Sequence, residues 1–313
     1  MPTFGLHPFF IEKPHPLMMD DPDTVKSYSV FSARYGNIYT VSQMLELVEQ
    51  GVGCRDVIHE YALQDGRYYD LLRPNINRSG FSSIEEAHAD RLYHLSRVNK
   101  LFQEADVFIF TLGLTEGWKN KSKGYTYPVC PGTAKGVFDP VQHVFTQAKH
   151  SEILLELSNL ISLLRSVNPG LKVILTVSPV SLVATRLDSN VLVATEHAKS
   201  TLRSVAGEVA TVFDNTDYFP SYEIISGAAS FGQFLDESLR GVNSRGIDCV
   251  MQNFFRCYLD ESFPHSYDSH YSDGSFPRNE KEVSIFESSS RSSSVDIAAK
   301  IVEAECDEIF NQI

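Results

Sequence analysis

Residues 106–118 read DVFIFTLGLTEGW. The run VFIFTL at 107–112 is short, continuous and apolar, as expected of a parallel-sheet strand buried on both faces. Small and polar residues follow at once. Gly113 permits close approach or positive φ, and Thr115 and Glu116 offer a hydroxyl and a carboxylate to a ligand. The same residues also suit a plain turn with a capping Thr.

Working outward, the pattern alternates. Upstream, residues 41–50, VSQMLELVEQ, have helical spacing that Gly51 and Gly53 stop. Residues 54–80 read as strands and turns around Asp65–Gly66. Ser82 or Ser83 caps a helix running to about Glu104, with Glu85 and Glu86 in its first turn. Downstream, residues 117–145 form a long Gly-, Pro- and Lys-rich excursion, expected to be a functional loop. Residues 151–166 form an amphipathic helix, 171–177 (LKVILTV) a second buried strand and 192–209 a helix, with a third strand starting at 211–213. Helix and strand in alternation imply a parallel sheet with right-handed crossovers and helices on both faces. The loops 113–148, 178–190 and 216–240 then share the carboxyl edge of the sheet, where ligands bind in open sheets of this kind.

Composition narrows the function. The chain of 313 residues is 42% hydrophobic, enough for a sizeable core. Its formal net charge of −13 argues against nonspecific binding to nucleic acid or anionic membrane. No apolar run approaches the length of a membrane span, and the N-terminus does not read as a signal peptide. Five scattered cysteines without a CxxC pair read as reduced thiols in a cytoplasmic protein, with no metal site and no cofactor expected. Beyond about residue 260 the chain turns Ser-, Asp-, His- and Tyr-rich, with SSSRSSS at 288–294. The expected organisation is a domain over 1–260, a disordered low-complexity stretch over 261–295 and a short helix over 296–313.

Several side chains could carry chemistry. Ser178 ends the second strand, but no nucleophile elbow surrounds it and Pro179 removes an N–H, so a structural turn is favoured. His143 in FDPVQHVF is either a base or a surface group. Tyr218, Tyr222 and Glu223 around Pro220 suit a binding wall or ordinary packing. Asp236 orients a histidine or pairs with Arg240.

Taken together, the segments FSARYGNIYT (31–40), DLLRP (70–74), FTLGLTEGW (110–118), YPVCPG (127–132), HVF (143–145), LKVILTVSP (171–179), YFPSYE (218–223) and VMQNFF (250–255) resemble the GSCFA family, a branch of the SGNH-hydrolase-like superfamily. The resemblance implies a three-layer α/β/α fold with a central parallel sheet, SGNH-hydrolase-like (flavodoxin-like). It also implies ester or acyl-transfer chemistry, in which a Ser attacks an acyl carbonyl, a His acts as base and an Asp orients it. By that resemblance Gly36, with Asn37 beside it, matches the oxyanion glycine. Gly113, Thr115 and Glu116 match the block that usually carries an oxyanion Asn, here altered. Trp118, Tyr218, Tyr222 and Glu223 are, from the residues alone, candidates for a binding wall or for ordinary packing. His143 and Asp236 become the candidate base and its partner, and the substrate a small-molecule or glycan ester. Two departures stand out. No Gly-Ser-Cys-Phe-Ala motif precedes FSARYGN, where only Ser27 and Ser29 lie near, and no His follows Asp236 closely. The expectation is an N-terminally incomplete, catalytically silent SGNH-like domain. The alternative is a binding or scaffold domain that keeps the pocket.

Overall fold

The computed structural model describes residues 10–14, 28 and 30–258. The expected disordered stretch over 261–295 and the helix over 296–313 lie outside the described residues. The elements are α1 (Val41–Gly51), β1 (Tyr61–Gln64), β2 (Arg67–Asp70), α2 (Ile84–Glu104), β3 (Val107–Leu112), β4 (Glu116–Asn120), β5 (Thr126–Tyr127) and β6 (His143–Gln147). They continue with α3 (His150–Val167), β7 (Lys172–Val177), α4 (Val191–Val212), β8 (Thr216–Tyr218), α5 (Ser221–Ser226) and α6 (Ser244–Tyr258).

Strands β3, β7 and β8 form a parallel sheet in that order, with Val107 opposite Lys172 and Val173 opposite Thr216. Alternation sends Val173, Leu175 and Val177 to one face, where they join the main core. Helices α1 to α4 contribute to that core. On α3 the residues Leu157, Leu160, Ile161 and Leu164 are fully buried at helical spacing. Each such side chain contributes roughly 1.5–3 kcal/mol by leaving water. Ile174 points to the opposite face, where Phe219 and the α6 residues Phe254 and Tyr258 cover it. Thr176, also on that face, shares a hydrogen bond with Ser221 of α5. The architecture is therefore a central parallel sheet between two helical layers.

Three expectations change. The strand β3 is fully buried on one face only; on the other, Val107 is partly covered by the second cluster. Phe110 and Leu112 enter the main core, but Ile109 on the other face is 44% exposed, because β3 is the edge of the described sheet and α6 packs over β7 and β8. The excursion over 117–145 is not one loop. It holds β4, β5 and part of β6, which form a second, antiparallel sheet in the order β5-β4-β6 with Trp118 opposite both Tyr127 and Phe145. Its Gly and Pro density hides strands of two to five residues. The third parallel strand starts at Thr216 rather than at 211–213. The β-branched pair Thr211–Val212 continues α4, and Asn215 makes the turn at φ 58°. Helices α5 and α6 are additions to the expected pattern, which has a loop over 216–240 and no element over 244–258. Helices α1, α2, α3 and α4 and strand β7 fall within a few residues of where the sequence places them. Thr40 caps α1 in a reciprocal capping box with Gln43, Ser83 caps α2, and Asp65–Gly66 turn β1 into β2 with positive φ at both residues.

A buried ionic network holds the front of this domain together. Arg34 donates from its backbone to Glu12 at 2.7 Å, and from its guanidinium to Tyr28 at 2.7 Å and to the Ile76 carbonyl at 2.8 Å. Arg73 bridges Asp70 at 2.9 Å and Asp90 at 2.6 Å. Arg91 reaches Gln50 at 3.0 Å and lies 3.7 Å from Asp70. His94 sits 2.8 Å from Glu12 and has no water-exposed surface. Burial, reinforced by the Arg73 charge, pulls the His94 pKa from 6.5 down to about 4, so the ring is neutral and its Nδ1–H donates to Glu12. Burial alone would raise the Glu12 carboxyl; its bond to His94 and the charge of Arg73 outweigh that and hold it low.

Both shifts act in one direction. Between pH 6.5 and 4 the unfolded chain binds a proton at His94 that the folded chain refuses, so this contribution is complete above pH 6.5 and lost as pH falls. Thermal melts are expected to show a loss on the order of 2 kcal/mol between pH 6.5 and 5 that His94→Gln removes. Equal pH slopes for the two proteins would rule this out.

Candidate functional site at the carboxyl edge of the parallel sheet

The carboxyl edge is assembled from chain segments that leave the sheet together. Ser178 N–H donates to the Leu112 carbonyl at 3.0 Å and Phe219 N–H to the Leu175 carbonyl at 2.8 Å, so Gly113, Ser178 and Phe219 line one rim. Residues 36–40 cross that rim on their way into α1. Leu114 N–H donates to the Tyr39 carbonyl at 2.8 Å. A Cβ on Gly113 would stand 3.0 Å from the same carbonyl oxygen, which is why this position takes glycine. Gly36 turns the chain with φ +70°, and Asn37 donates to the Tyr39 hydroxyl at 3.0 Å. Gly36, Asn37 and Gly113 thus belong to one neighbourhood.

Lys199 completes it. This α4 residue is 1% exposed and donates from Nζ to the Gly113 carbonyl at 2.8 Å. Sequence reading passed over it. A signal was present, because position 199 falls within the buried stripe Ala198, Leu202, Val205, Ala206 and Val209. A cation inside such a stripe needs a dedicated acceptor.

Thr115 and Glu116 are committed to the scaffold. Thr115 accepts from the Gln147 side chain at 2.9 Å. The two Glu116 oxygens accept from the Thr185 hydroxyl at 2.6 Å and the Arg186 N–H at 3.2 Å. The carboxylate therefore ties the loop after β7 to the start of β4. Trp118 lies further along β4 and packs edge-on against Phe138 and Phe145, inside the second sheet. Beyond β8, Tyr218 donates to Glu223 at 2.7 Å, Arg203 stacks over the Tyr218 ring and pairs with Glu223, and Tyr222 reaches Glu196 at 3.4 Å. Burial, with the Glu223 carboxylate beside it, drives the Tyr218 phenol well above its ordinary range, so it stays protonated as a donor.

The structure does not bring His143 or Asp236 to this rim. His143 opens β6 opposite Asn120, while Glu116 pairs with Gln147 at the other end of the same ladder. Four strand residues separate the two ends, about 13 Å. His143 Nδ1 accepts the Asp139 N–H at 3.0 Å, and its ring packs against Tyr127 and Phe138. Asp236 sits in an exposed turn, accepting from the backbone and hydroxyl of Ser238, with no Arg240 ion pair. Its hydrogen bonds from Ser238 keep its carboxyl acidic. Among the described residues no hydrogen bond links a histidine to Gly36, Gly113, Thr115, Glu116 or Asp236. The described residues also hold no cluster of three or more His, Cys, Asp or Glu side chains arranged to bind a metal.

Two open concavities lie away from this rim. One, of about 470 Å³, is at the amino edge of the sheet around Lys172, Asp214 and Asp217. The other, of about 530 Å³, lies between the β1–β2 hairpin and the second sheet, with His143 in its lining.

The fit between Gly113 and the Tyr39 carbonyl yields a test. Gly113→Ala forces the 36–40 crossing off the rim, and a loss of about 1–3 kcal/mol is expected, read as a fall in melting temperature of several degrees. An unchanged melting temperature would mean the crossing is loosely held.

Among known protein families, the model of the GSCFA family matches residues 21–254. A search of curated proteins finds no match.

Proposed function

Because the chain belongs to the GSCFA family, we propose that it is an SGNH-like domain whose carboxyl-edge pocket binds a ligand, such as an acylated glycan, without hydrolysing it. The observation that carries this reading is where the rim's polar groups go. An ester hydrolase needs donors aimed at the developing oxyanion, and a serine activated by a base. Here the Leu114 N–H is given to the Tyr39 carbonyl, and the Glu116 carboxylate, at the position of the altered oxyanion donor, accepts from Thr185 and Arg186. The histidine nearest in sequence to the rim on β4–β6, His143, has its Nδ1 turned to Asp139.

The substrate class rests on fold analogy, and analogy of this kind names a chemistry without naming a molecule. The acidic composition favours neither nucleic acid nor an anionic membrane as partner. The described cysteines Cys54, Cys130, Cys249 and Cys257 are unpaired, in keeping with a cytoplasmic location, and no described helix is long and apolar enough to cross a membrane.

A fluorophosphonate probe separates binding from catalysis, because it reacts with an activated serine and ignores an ordinary one. The expected outcome is no labelling above that of heat-denatured protein, together with no release of p-nitrophenol from p-nitrophenyl acetate beyond the buffer rate. Stoichiometric labelling of a single serine, mapped by peptide mass, would make the protein a hydrolase.

A further inference from the structure

We infer that the cleft between the β1–β2 hairpin and the second sheet is a binding site for a neutral saccharide, separate from the carboxyl-edge pocket and independent of its function. The cleft measures about 530 Å³, within the range of roughly 300–1,000 Å³ found for small-molecule sites. Its two walls differ in chemistry. Ala62, Leu63, Leu71 and Val137 give an aliphatic wall, and Asn120, Ser122, Asp139, Gln142 and His143 a polar one, with Glu60 and Lys123 between them.

The polar atoms of the lining fall into two groups. The first group is already fixed. Glu60 accepts from Lys123 at 3.0 Å and from Tyr127 at 3.3 Å, and the buried Asn120 donates to Tyr125 and Tyr127. These bonds hold the wall rigid before any ligand arrives, which lowers the ordering cost of binding. The second group has capacity left over. Because Nδ1 of His143 accepts the Asp139 N–H, the ring proton sits on Nε2, which has no partner among the described residues. The Gln142 side chain uses one amide atom on the Ser122 hydroxyl, and in either amide orientation the other is left over. Asp139 uses Oδ1 on the Val141 N–H and keeps Oδ2. Donor and acceptor capacity therefore recur along 139–143.

The ligand follows from this pattern. A sugar hydroxyl both donates and accepts, so a row of mixed donors and acceptors suits it. The C–H face of a pyranose is apolar and suits the aliphatic wall. Leu63 and Val137 are 65% and 83% exposed at that wall, apolar surface that a ligand would cover. Glu60 and Asp139 against the one cation Lys123 leave the lining with one net negative charge, which disfavours phosphorylated or acidic ligands.

Saturation-transfer NMR on the full chain tests this, with a panel of neutral mono- and disaccharides and hexose phosphates for contrast. The expected result is saturable transfer to at least one neutral sugar and weaker or no transfer to its phosphate. Gln142→Ala, a change at a partly exposed side chain, is expected to weaken binding roughly 3- to 10-fold. Val137→Asp is expected to weaken it as well, and Leu239→Ala, on a remote exposed turn, to leave it unchanged. The proposal fails if no neutral sugar binds, if the phosphates bind more tightly, or if binding survives both cleft variants.

Discussion

The placement of Arg34 is the constraint on which the front of the molecule depends. Its guanidinium is buried, and everything that satisfies it comes from a different part of the chain: Tyr28, Ile76 and, at 3.5 Å, Asp90. Asp90 also takes Arg73, Arg73 takes Asp70, and Asp70 lies against Arg91. Three arginines and the carboxylates of Glu12, Asp70 and Asp90 thus form one neutral set. Such a set adds little net stability over an apolar core of equal volume, but removing one member strands its partner and costs about 3–5 kcal/mol. Its effect is positional. Arg34 lies two residues before Gly36, so anchoring it fixes where the chain starts its crossing toward α1.

That crossing closes the carboxyl edge. Tyr39 presents its carbonyl to Leu114 N–H and fits against the bare Cα of Gly113, while Lys199 takes the Gly113 carbonyl from the other side. The loop after β3 is thereby held at both of its polar faces by protein groups. A developing charge in a reaction needs donors that are aimed but uncommitted. In this chain the Leu114 N–H, the Gly113 carbonyl and the Glu116 carboxylate are already bonded to protein groups, and those bonds give the rim its shape.

The strands and helices were largely legible because their signals are local. The apolar runs of β3 and β7, the capping box at Thr40 and Gln43, and Ser83 before α2 each act within a few residues. The failures have physical causes of longer range. That β3 would be an edge strand depends on sheet order, which its own residues do not carry. The second sheet was missed because β5 has two residues and its partners are paired by contacts between Trp118, Tyr127 and Phe145 far apart in sequence. Of the candidate site, Gly113, Thr115 and Glu116 stand together between β3 and β4, and the segment 36–40 meets Gly113 through Tyr39. His143 and Asp236 do not join them, because their positions follow from pairings that periodicity cannot express. Lys199 was detectable as a cation in an apolar stripe, a local signal that was there to be read.

The insertion of β4, β5 and β6 after Gly113 also changes where a ligand is best received. In an open parallel sheet the strand ends are the natural concave surface, because the loops there diverge. In this chain β3 continues almost directly into β4, which carries the backbone away from the rim and pairs it with β6. A concavity opens where β6 begins, against the β1–β2 hairpin. Polar atoms follow the same division: those at the rim are bonded to the scaffold, and those at the β6 end retain unused donors and acceptors. Fold similarity directs attention to the first surface, while hydrogen-bond capacity directs it to the second. Two surfaces of different chemistry thus stand side by side in this chain: a rim shaped by bonds already made, and a cleft whose polar atoms keep capacity to bond.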